Sequence, residues 1–358
     1  MIETGPPHNA GAHAAPAGAP TQSRAAAVWL ALVALLVLAM VVVGGATRVT
    51  GSGLSITQWK PISGVVPPLG HAAWEMVFRL YRATPQYQLL NRGMTLAQFQ
   101  TIYWWEWTHR LLGRLVGVVF AVPFFLLLVS GRLPRRLTWR CAALFALGGL
   151  QGAVGWWMVK SGLEARTSVA PERLAVHLGL ALLLFSAMVW TALEAWFGPR
   201  RGIRPRSAGW AWACAGFMGG VFLQCLLGAL VAGNHAGLVD ADWPLMGGRL
   251  FPDGYWQETL WRTLAHSLPA VQFNHRIVAY GLLACGLAMA AMAWGRSPHG
   301  TPLRALTLVV ATLLVGQAAL GAATLIMTVP LSLAMLHQFI AATLLAAATV
   351  LAWKAQRI

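Results

Sequence analysis

Four histidines draw attention because they lie inside, or at the edge of, long apolar stretches, where a titratable side chain is costly and usually functional. They are His109, His177, His275 and His337. Imidazole is the commonest metal ligand among side chains. For any single histidine, a hydrogen bond to a neighbouring helix is an equally good explanation. Four histidines in duplicated positions favour ligation of a metal-containing cofactor over that alternative.

The spacing predicts a common depth for these side chains. His109 and His275 are predicted to open their helices, while His177 and His337 follow helix-starting prolines by six and seven residues. At about 1.5 Å per residue this is roughly 10 Å along a helix, so all four imidazoles are expected in the outer leaflet. If the helices of each pair face each other in a bundle, two imidazoles can ligate one iron from both sides, as in haem proteins.

Three arginines close to these histidines offer contacts to the same cofactor. They are Arg110, Arg114 and Arg276. Haem carries propionate groups, and a guanidinium binds a carboxylate bidentately. We therefore predict that these arginines bind propionates. Snorkelling of an arginine from a helix end to the membrane surface is the alternative explanation.

Glu106 distinguishes the first histidine from its duplicate. It lies three residues before His109, on the same helical face, whereas the residue three before His275 is the neutral Gln272. A carboxylate beside one cofactor suits proton transfer or the stabilisation of positive charge during a reaction. The second site is then expected to serve electron transfer or structure. The alternative is an interfacial acid that pairs with Arg110.

The elements that must position these residues are membrane-spanning helices. The chain has 358 residues, of which 58% are hydrophobic and 10% charged, too apolar for a soluble domain. A bilayer core needs about 20 apolar residues per helix. The sequence therefore predicts an all-α polytopic membrane protein with eight transmembrane helices. The eight predicted segments are 25–46, 107–130, 141–159, 174–194, 208–232, 274–294, 305–328 and 331–353.

An internal repeat divides the chain into two halves. QGAVG at 151–155 matches QAALG at 317–321, and the pair of residues that begins at His109 matches the pair at His275 with the same shift of 166. Gly44 and Gly228 match at a shift of 184. His177 corresponds to His337, and the third loop is six residues longer in the first half, which accounts for the changed offset of this pair. Each half has four helices, an even number, so both halves insert in the same orientation as parallel repeats.

Three regions follow from this repeat. Residues 1–24, rich in Ala, Gly and Pro, are predicted to be a disordered tail. Residues 25–198 are predicted to be a first four-helix bundle that holds the haem beside Glu106. Residues 199–358 are predicted to be a second four-helix bundle that holds another haem.

The distribution of the charges that give the net charge of +16 indicates orientation in a membrane, not nucleic-acid binding. Arginines and lysines concentrate in the short even-numbered loops and at the C-terminus, while nearly all acids lie in the odd-numbered loops. This is the positive-inside pattern and predicts that both termini are cytoplasmic. No polynucleotide partner is needed to explain the basic surplus.

Several longer motifs resemble the heme A synthase family. They are GGATRVTGSGLSITQWKPISGVVPPL at 44–69, WWEWTHRLLGR at 104–114, AGLVDADWPLM at 236–246 and NHRIVAY at 274–280. The first long loop is similar to that of the mitochondrial and proteobacterial branch. Some bacterial members have cysteine pairs in exported loops; the four cysteines here all fall in predicted helices, so no thiol step is carried over.

The resemblance implies an activity and assigns the residues. The family oxidises the C8 methyl of heme O to a formyl group through hydroxylation, giving heme A for terminal oxidases such as cytochrome c oxidase. His109 and His177 match the ligands of the substrate haem, His275 and His337 match the ligands of a prosthetic heme b, and Glu106 matches the acid implicated in catalysis.

The resemblance also implies a location and partners. We expect the bacterial inner membrane, with the haem sites towards the periplasm. Expected partners are heme O, the lipid bilayer and an external electron donor, with the farnesyltransferase that makes heme O and terminal oxidase assembly factors as candidates. A dihaem b-type cytochrome that relays electrons from quinol without altering its haem is the competing class. A parallel-repeat transporter, with broken helices and a midplane site, is a third class.

Overall fold

The computed structural model describes residues 22–164, 166–199, 208–296 and 301–357. The predicted disordered tail lies almost wholly outside these residues, as do 200–207 of a basic loop. Within them the chain forms eleven α-helices and no β-strand. The helices are α1 (Arg24–Val49), α2 (His71–Arg82), α3 (Pro85–Leu89), α4 (Leu96–Val129), α5 (Arg135–Glu164), α6 (Pro171–Phe197), α7 (Ala208–Gly233), α8 (Leu260–His266), α9 (Leu268–Arg296), α10 (Pro302–Ile326) and α11 (Leu331–Ala355).

Eight of these helices are long and apolar enough to cross a membrane: α1, α4, α5, α6, α7, α9, α10 and α11. This confirms the predicted all-α polytopic class with eight spans. The short helices α2 and α3 lie in the first long loop (50–95), and α8 lies in the second long loop (234–267). Each of the eight is continuous where the structure describes it, without the broken helices that the transporter alternative requires.

Helix α4 begins well before its apolar segment. Thr95 caps it in a capping box with Gln98, so the helix starts at Leu96 rather than at 107. The added turns pack Phe99 against Phe78 of α2 in an aromatic cluster, which stabilises helix outside the apolar run. His109 consequently lies thirteen residues into α4, and His275 lies seven residues into α9. The prediction that both histidines open their helices is therefore wrong.

The eight long helices associate as two sets of four. In the first helix set, α1 packs against α4 and α6, and α5 packs against α6. In the second helix set, α7 packs against α9 and α11, and α10 packs against both as well. Contacts of α1 and α6 with α7 and α11 join the two sets. The relation of the two sets as parallel repeats, with the boundary near residue 198, stays a prediction.

The two sets differ in how tightly one pair of neighbouring helices packs. Helices α9 and α10 are closely packed, whereas α4 and α5 approach each other at few positions. In the second set a Cβ at Gly286 would lie 2.5 Å from Leu314, so the leucine of α10 fills the space beside the glycine of α9. At the shift of 166 these positions are Phe120 and Gly148, and nothing lies within 4 Å of a Cβ at Gly148.

Candidate functional site

Each of the four histidines rests on a glycine of the preceding long helix. A Cβ on that glycine would lie only 2.8–3.2 Å from Cε1 of the imidazole, so a larger residue would displace the ring. We call this contact a glycine notch. The four pairs are Gly44 with His109, Gly155 with His177, Gly228 with His275, and Gly321 with His337. The notch fixes how each imidazole leaves its helix.

The notch makes the hairpin of two consecutive long helices the repeating unit. One glycine and one histidine come from each of α1/α4, α5/α6, α7/α9 and α10/α11. The sequence predicts only the twofold repeat, because the glycines and histidines of one hairpin are separated by loops of different length. The signal that could have found the unit is a glutamine four residues before the glycine, present at Gln151, Gln224 and Gln317.

These three glutamines form a second link across their hairpins, which we call the amide clamp. In each, Nε2 donates a hydrogen bond to the main-chain carbonyl oxygen of the histidine, at 2.9–3.0 Å. The same nitrogen lies between 3.1 and 3.4 Å from a ring nitrogen. The clamped pairs are Gln151 with His177, Gln224 with His275, and Gln317 with His337. Clamp and notch together fix the imidazole on two sides.

Each helix set contributes two of the histidines, His109 and His177 in the first and His275 and His337 in the second. The members of each pair lie within range of an electrostatic interaction. Their ligation of one shared iron stays a prediction. All four residues are partly accessible rather than buried. Nδ1 of His109 and Nδ1 of His337 find no hydrogen-bond partner among the described residues. Two imidazoles from different helices of one set are the kind of side chain that would hold a haem iron.

The donor set argues for haem rather than for a bare metal ion. In the described part of the chain no group of three or more His, Cys, Asp or Glu side chains comes together. A bare transition-metal ion usually needs such a group, because the protein must supply most of its ligands. A porphyrin supplies the equatorial ligands itself, so two imidazoles suffice. The residues present therefore fit haem in each helix set.

Glu106 is buried and fully engaged. Its Oε2 accepts hydrogen bonds from Ser55 Oγ and from the main-chain nitrogen of Ile56, both at 2.8 Å. Its Oε1 accepts from Arg110 Nη2 at 2.6 Å and from Arg110 Nε at 3.0 Å. The carboxylate thus pairs with Arg110, as one of the two explanations from sequence requires. It also ties the first long loop to α4 one turn from His109.

Gln272 makes the corresponding contact in the second set, but its side chain donates the hydrogen bond instead of accepting it. Its Nε2 donates to the main-chain oxygen of Asp240 at 2.9 Å. Asp240 corresponds to Ile56 at the shift of 184, so each long loop docks on its helix in the same register. The carboxylate of Glu106 can only accept hydrogen bonds, and it accepts one from a main-chain N–H group of its loop. The amide of Gln272 instead donates a hydrogen bond to a main-chain carbonyl oxygen of its loop.

The three arginines hold the long loops over the histidine-bearing helices. Each guanidinium donates to main-chain carbonyl oxygens: Arg110 to Ile56 and Gln58, Arg114 to Lys60 and Pro61, and Arg276 to Asp240, Asp242 and Leu245. Nη1 of Arg114 and Nε of Arg276 find no partner among the described residues. Sequence reasoning missed the loop-holding role, because the carbonyls belong to backbone that carries no residue signal.

A further contact joins the two sets at the loop ends. Nη2 of Arg48, in the last turn of α1, donates to the main-chain oxygen of Gly233 at 2.9 Å and meets Nε2 of His235 at 2.8 Å. Because a guanidinium only donates, His235 must accept with a neutral ring. Partial desolvation and, second, the charge of Arg48 lower the pKa of His235. Sequence reasoning left both residues without a firm role.

Eight membrane-length helices, four of which carry one of the predicted histidines, define a polytopic membrane protein. Comparison with known proteins narrows this class. The chain belongs to the family of cytochrome oxidase assembly proteins, which it matches over residues 27–349. The predicted family is thereby confirmed.

Named relatives cover nearly the whole chain. A heme A synthase of Caulobacter sp. (strain K31) is 58% identical over 339 residues, 94% of this chain and 97% of that protein. The heme A synthase of Caulobacter vibrioides is 56% identical over 336 residues, with the same shares. The heme A synthase of Maricaulis maris is 47% identical over 338 residues, 94% of this chain and 98% of that protein.

Proposed function

We propose that this chain converts heme O to heme A in cytochrome c oxidase assembly, by oxidising a porphyrin methyl group to a formyl group through a hydroxylated intermediate. Relatives named heme A synthase align with 94% of the chain. The observation that carries the proposal is two pairs of notch-seated imidazoles with a buried acid beside only one pair. A protein that only relays electrons has no need of that difference.

The two sets have separate tasks in this proposal. His109 and His177 hold heme O, the substrate, in the first helix set. His275 and His337 hold heme b in the second. When bound, heme b supplies one-electron chemistry by alternating between its ferric and ferrous forms. The looser packing of α4 against α5 supports placing heme O, which must enter and leave in every cycle, in the first set.

Glu106 acts through a fixed negative charge. Both carboxylate oxygens are occupied by four hydrogen bonds. A carboxylate that accepts so many bonds is a poor proton shuttle, because each transfer would break one of them. A preorganised charge needs no rearrangement and stabilises positive charge that develops at the substrate. Charge stabilisation therefore suits Glu106 better than proton transfer.

The arginines hold the long loops and keep N–H groups that could bind the substrate. Arg110 and Arg276 hold the long loops over the histidine-bearing helices. Arg114 and Arg276 each keep one shielded N–H group without a protein partner among the described residues. These N–H groups are our candidates for contacts with propionates.

The proposed setting is the bacterial inner membrane. Both termini face the cytoplasm and the long loops face the periplasm, because basic residues concentrate in the other loops. An external electron acceptor or donor exchanges electrons with heme b. Docking of the heme O-making farnesyltransferase or of oxidase assembly factors is part of the proposal only as a candidate interaction.

The test is haem extraction from purified protein followed by separation of heme B, O and A by mass. We expect heme B together with heme O or A from the wild type. Glu106→Gln should keep its haem but lower heme A output about a hundredfold, the usual effect of losing one preorganised charge. Heme O or the hydroxylated intermediate should accumulate instead.

Ser55→Ala is the matched control, because it removes one loop hydrogen bond from Glu106 and leaves the charge in place. Its heme A output should stay close to that of the wild type. Heme B alone in the wild type would point to the electron-relay class. Undiminished heme A output from Glu106→Gln would remove Glu106 from the mechanism.

A further inference from the structure

One histidine of the four lacks the amide clamp. The position that corresponds to Gln224 at the shift of 184 is Met40, on α1. Among the described residues no glutamine amide reaches His109, which keeps only its notch on Gly44. Its Nδ1 has no hydrogen-bond partner there. A thioether cannot donate a hydrogen bond, so Met40 cannot replace the clamp.

A second difference accompanies the first at the same place. Each clamped histidine is followed four residues later by an alanine: Ala181, Ala279 or Ala341. The residue four after His109 is Gly113, and a Cβ there would lie 3.0 Å from the terminal methyl of Met40. The Met40–Gly113 pair therefore takes the place of a glutamine–alanine pair. Two matched changes show that this hairpin is packed differently and has not simply lost a hydrogen bond.

The physical consequence is a softer attachment of His109. An amide clamp fixes the main chain of the histidine to the partner helix through a directional bond. Methionine has several rotatable bonds and a polarisable sulfur, and it adapts to changes in its surroundings. The α1/α4 hairpin can therefore shift at the level of His109 at lower cost than the other three hairpins.

We propose that Met40 and Gly113 make His109 the exchangeable ligand, the imidazole that releases the iron when heme A leaves and takes the next heme O. This inference rests on the proposed function. The first set must bind and release a haem in every cycle, whereas heme b stays. The other three histidines have the amide clamp and keep their haem iron bound. Two of these three lie in the second set.

The test restores the clamp and measures haem release. Met40→Gln with Gly113→Ala should slow the transfer of heme O and heme A to an apomyoglobin trap about fivefold to tenfold, the factor that one hydrogen bond is worth. Heme B release should not change, and mass separation of the transferred haems reports each set. Met40→Leu, which adds no donor, should release haem like the wild type.

The reciprocal change tests the same idea in the second set. Gln224→Met with Ala279→Gly should speed heme B release by a similar factor and leave heme O and A unaffected. Cyanide gives a readout independent of release: it should displace His109, seen as a Soret shift, more slowly in the restored variant than in the wild type.

The outcomes separate this inference from the proposed function. Wild-type release and cyanide kinetics in a restored variant with full haem content would overturn the role of Met40. Unchanged heme O and A content in His109→Ala would instead overturn the placement of the substrate. If the restored variant folds poorly, the reciprocal variant decides: unchanged heme B release overturns the inference.

Discussion

The first and second helix sets share a scaffold and differ where chemistry is expected. Both seat their imidazoles on glycines and both dock a long loop through an arginine. The first set alone has a buried acid beside its histidine, a methionine in place of a clamp, and loosely packed α4 and α5. Departures of a repeat from its own pattern thus locate function more sharply than the pattern does.

The packing difference has an identifiable cause. Leu314 is 5% exposed and fits beside Gly286 in the second set. In the first set, the large residue stands on α4: Phe120 packs on Trp29 of α1, with ring centroids 5.0 Å apart, and stacks on Phe145 of α5 at 6.3 Å. The small residue, Gly148, stands on α5, and nothing lies within 4 Å of an added Cβ there. The exchange of the large and the small residue therefore leaves the space beside Gly148 unfilled, although aromatic rings still join α4 and α5 one turn away.

The largest expected effect on heme B content comes from filling a notch. Gly321→Val places side-chain carbons where Cε1 of His337 lies, 2.9 Å from an added Cβ. Overpacking of this kind costs about 1–3 kcal/mol, so binding of heme b should weaken by about tenfold or more. Haem extraction should show loss of heme B with heme O and A retained.

Gly316→Val is the matched control, because it lies on the same helix and nothing lies within 4 Å of its Cβ. It should keep its full heme B content. Equal losses in both variants would mean that α10 tolerates no valine and that the notch has no special role.

A variant read out by stability, not by haem content, should sharpen the packing comparison. Leu314→Ala leaves a cavity beside Gly286 and should lower stability by about 2–5 kcal/mol. Gly148→Leu, at the corresponding position of α5, should cost far less, since the site is open. Thermal unfolding in detergent, followed by tryptophan fluorescence, measures both. Comparable losses in the two variants would contradict the difference in packing between the sets.

The smallest effect concerns the link between the sets. The pKa of His235 is lowered by partial desolvation and then by Arg48, so the neutral ring is favoured in the folded protein. This contribution is fully present above the ordinary histidine pKa of about 6.5 and is lost as pH falls through the lowered value. The ring is exposed, so solvent screening keeps the effect small.

His235→Gln offers an acceptor to Arg48 that does not titrate. Melting curves from pH 8 to pH 5 should therefore show a smaller acid-dependent loss of stability in the variant than in the wild type. Parallel curves for the two proteins would show that the Arg48–His235 contact contributes nothing.

The sequence predicts the eight spans correctly and points to the histidines as site residues, but it does not predict the glycines and glutamines that orient those histidines. Charges and imidazoles inside apolar runs are visible without coordinates, because burial makes them costly. The start of α4 was misplaced, since aromatic packing on α2 rather than hydropathy extends the helix. The sequence predicts that the arginines bind propionates or snorkel, and it misses their loop contacts because the carbonyl partners are backbone atoms. The role of the Met40–Gly113 pair cannot be predicted from the sequence alone, because it becomes visible only after the glycine notches show which positions of the four hairpins correspond.

The glycine notch has a consequence for biogenesis. Each imidazole is oriented by its own hairpin, so a newly inserted pair of helices already carries a correctly aimed ligand before later hairpins leave the insertion machinery. Under the proposed function, iron bound by the histidines of two successive hairpins would tie together parts of the chain made at different times. Capture of the porphyrin would thus act as a checkpoint, favouring chains whose hairpins have met in the right order.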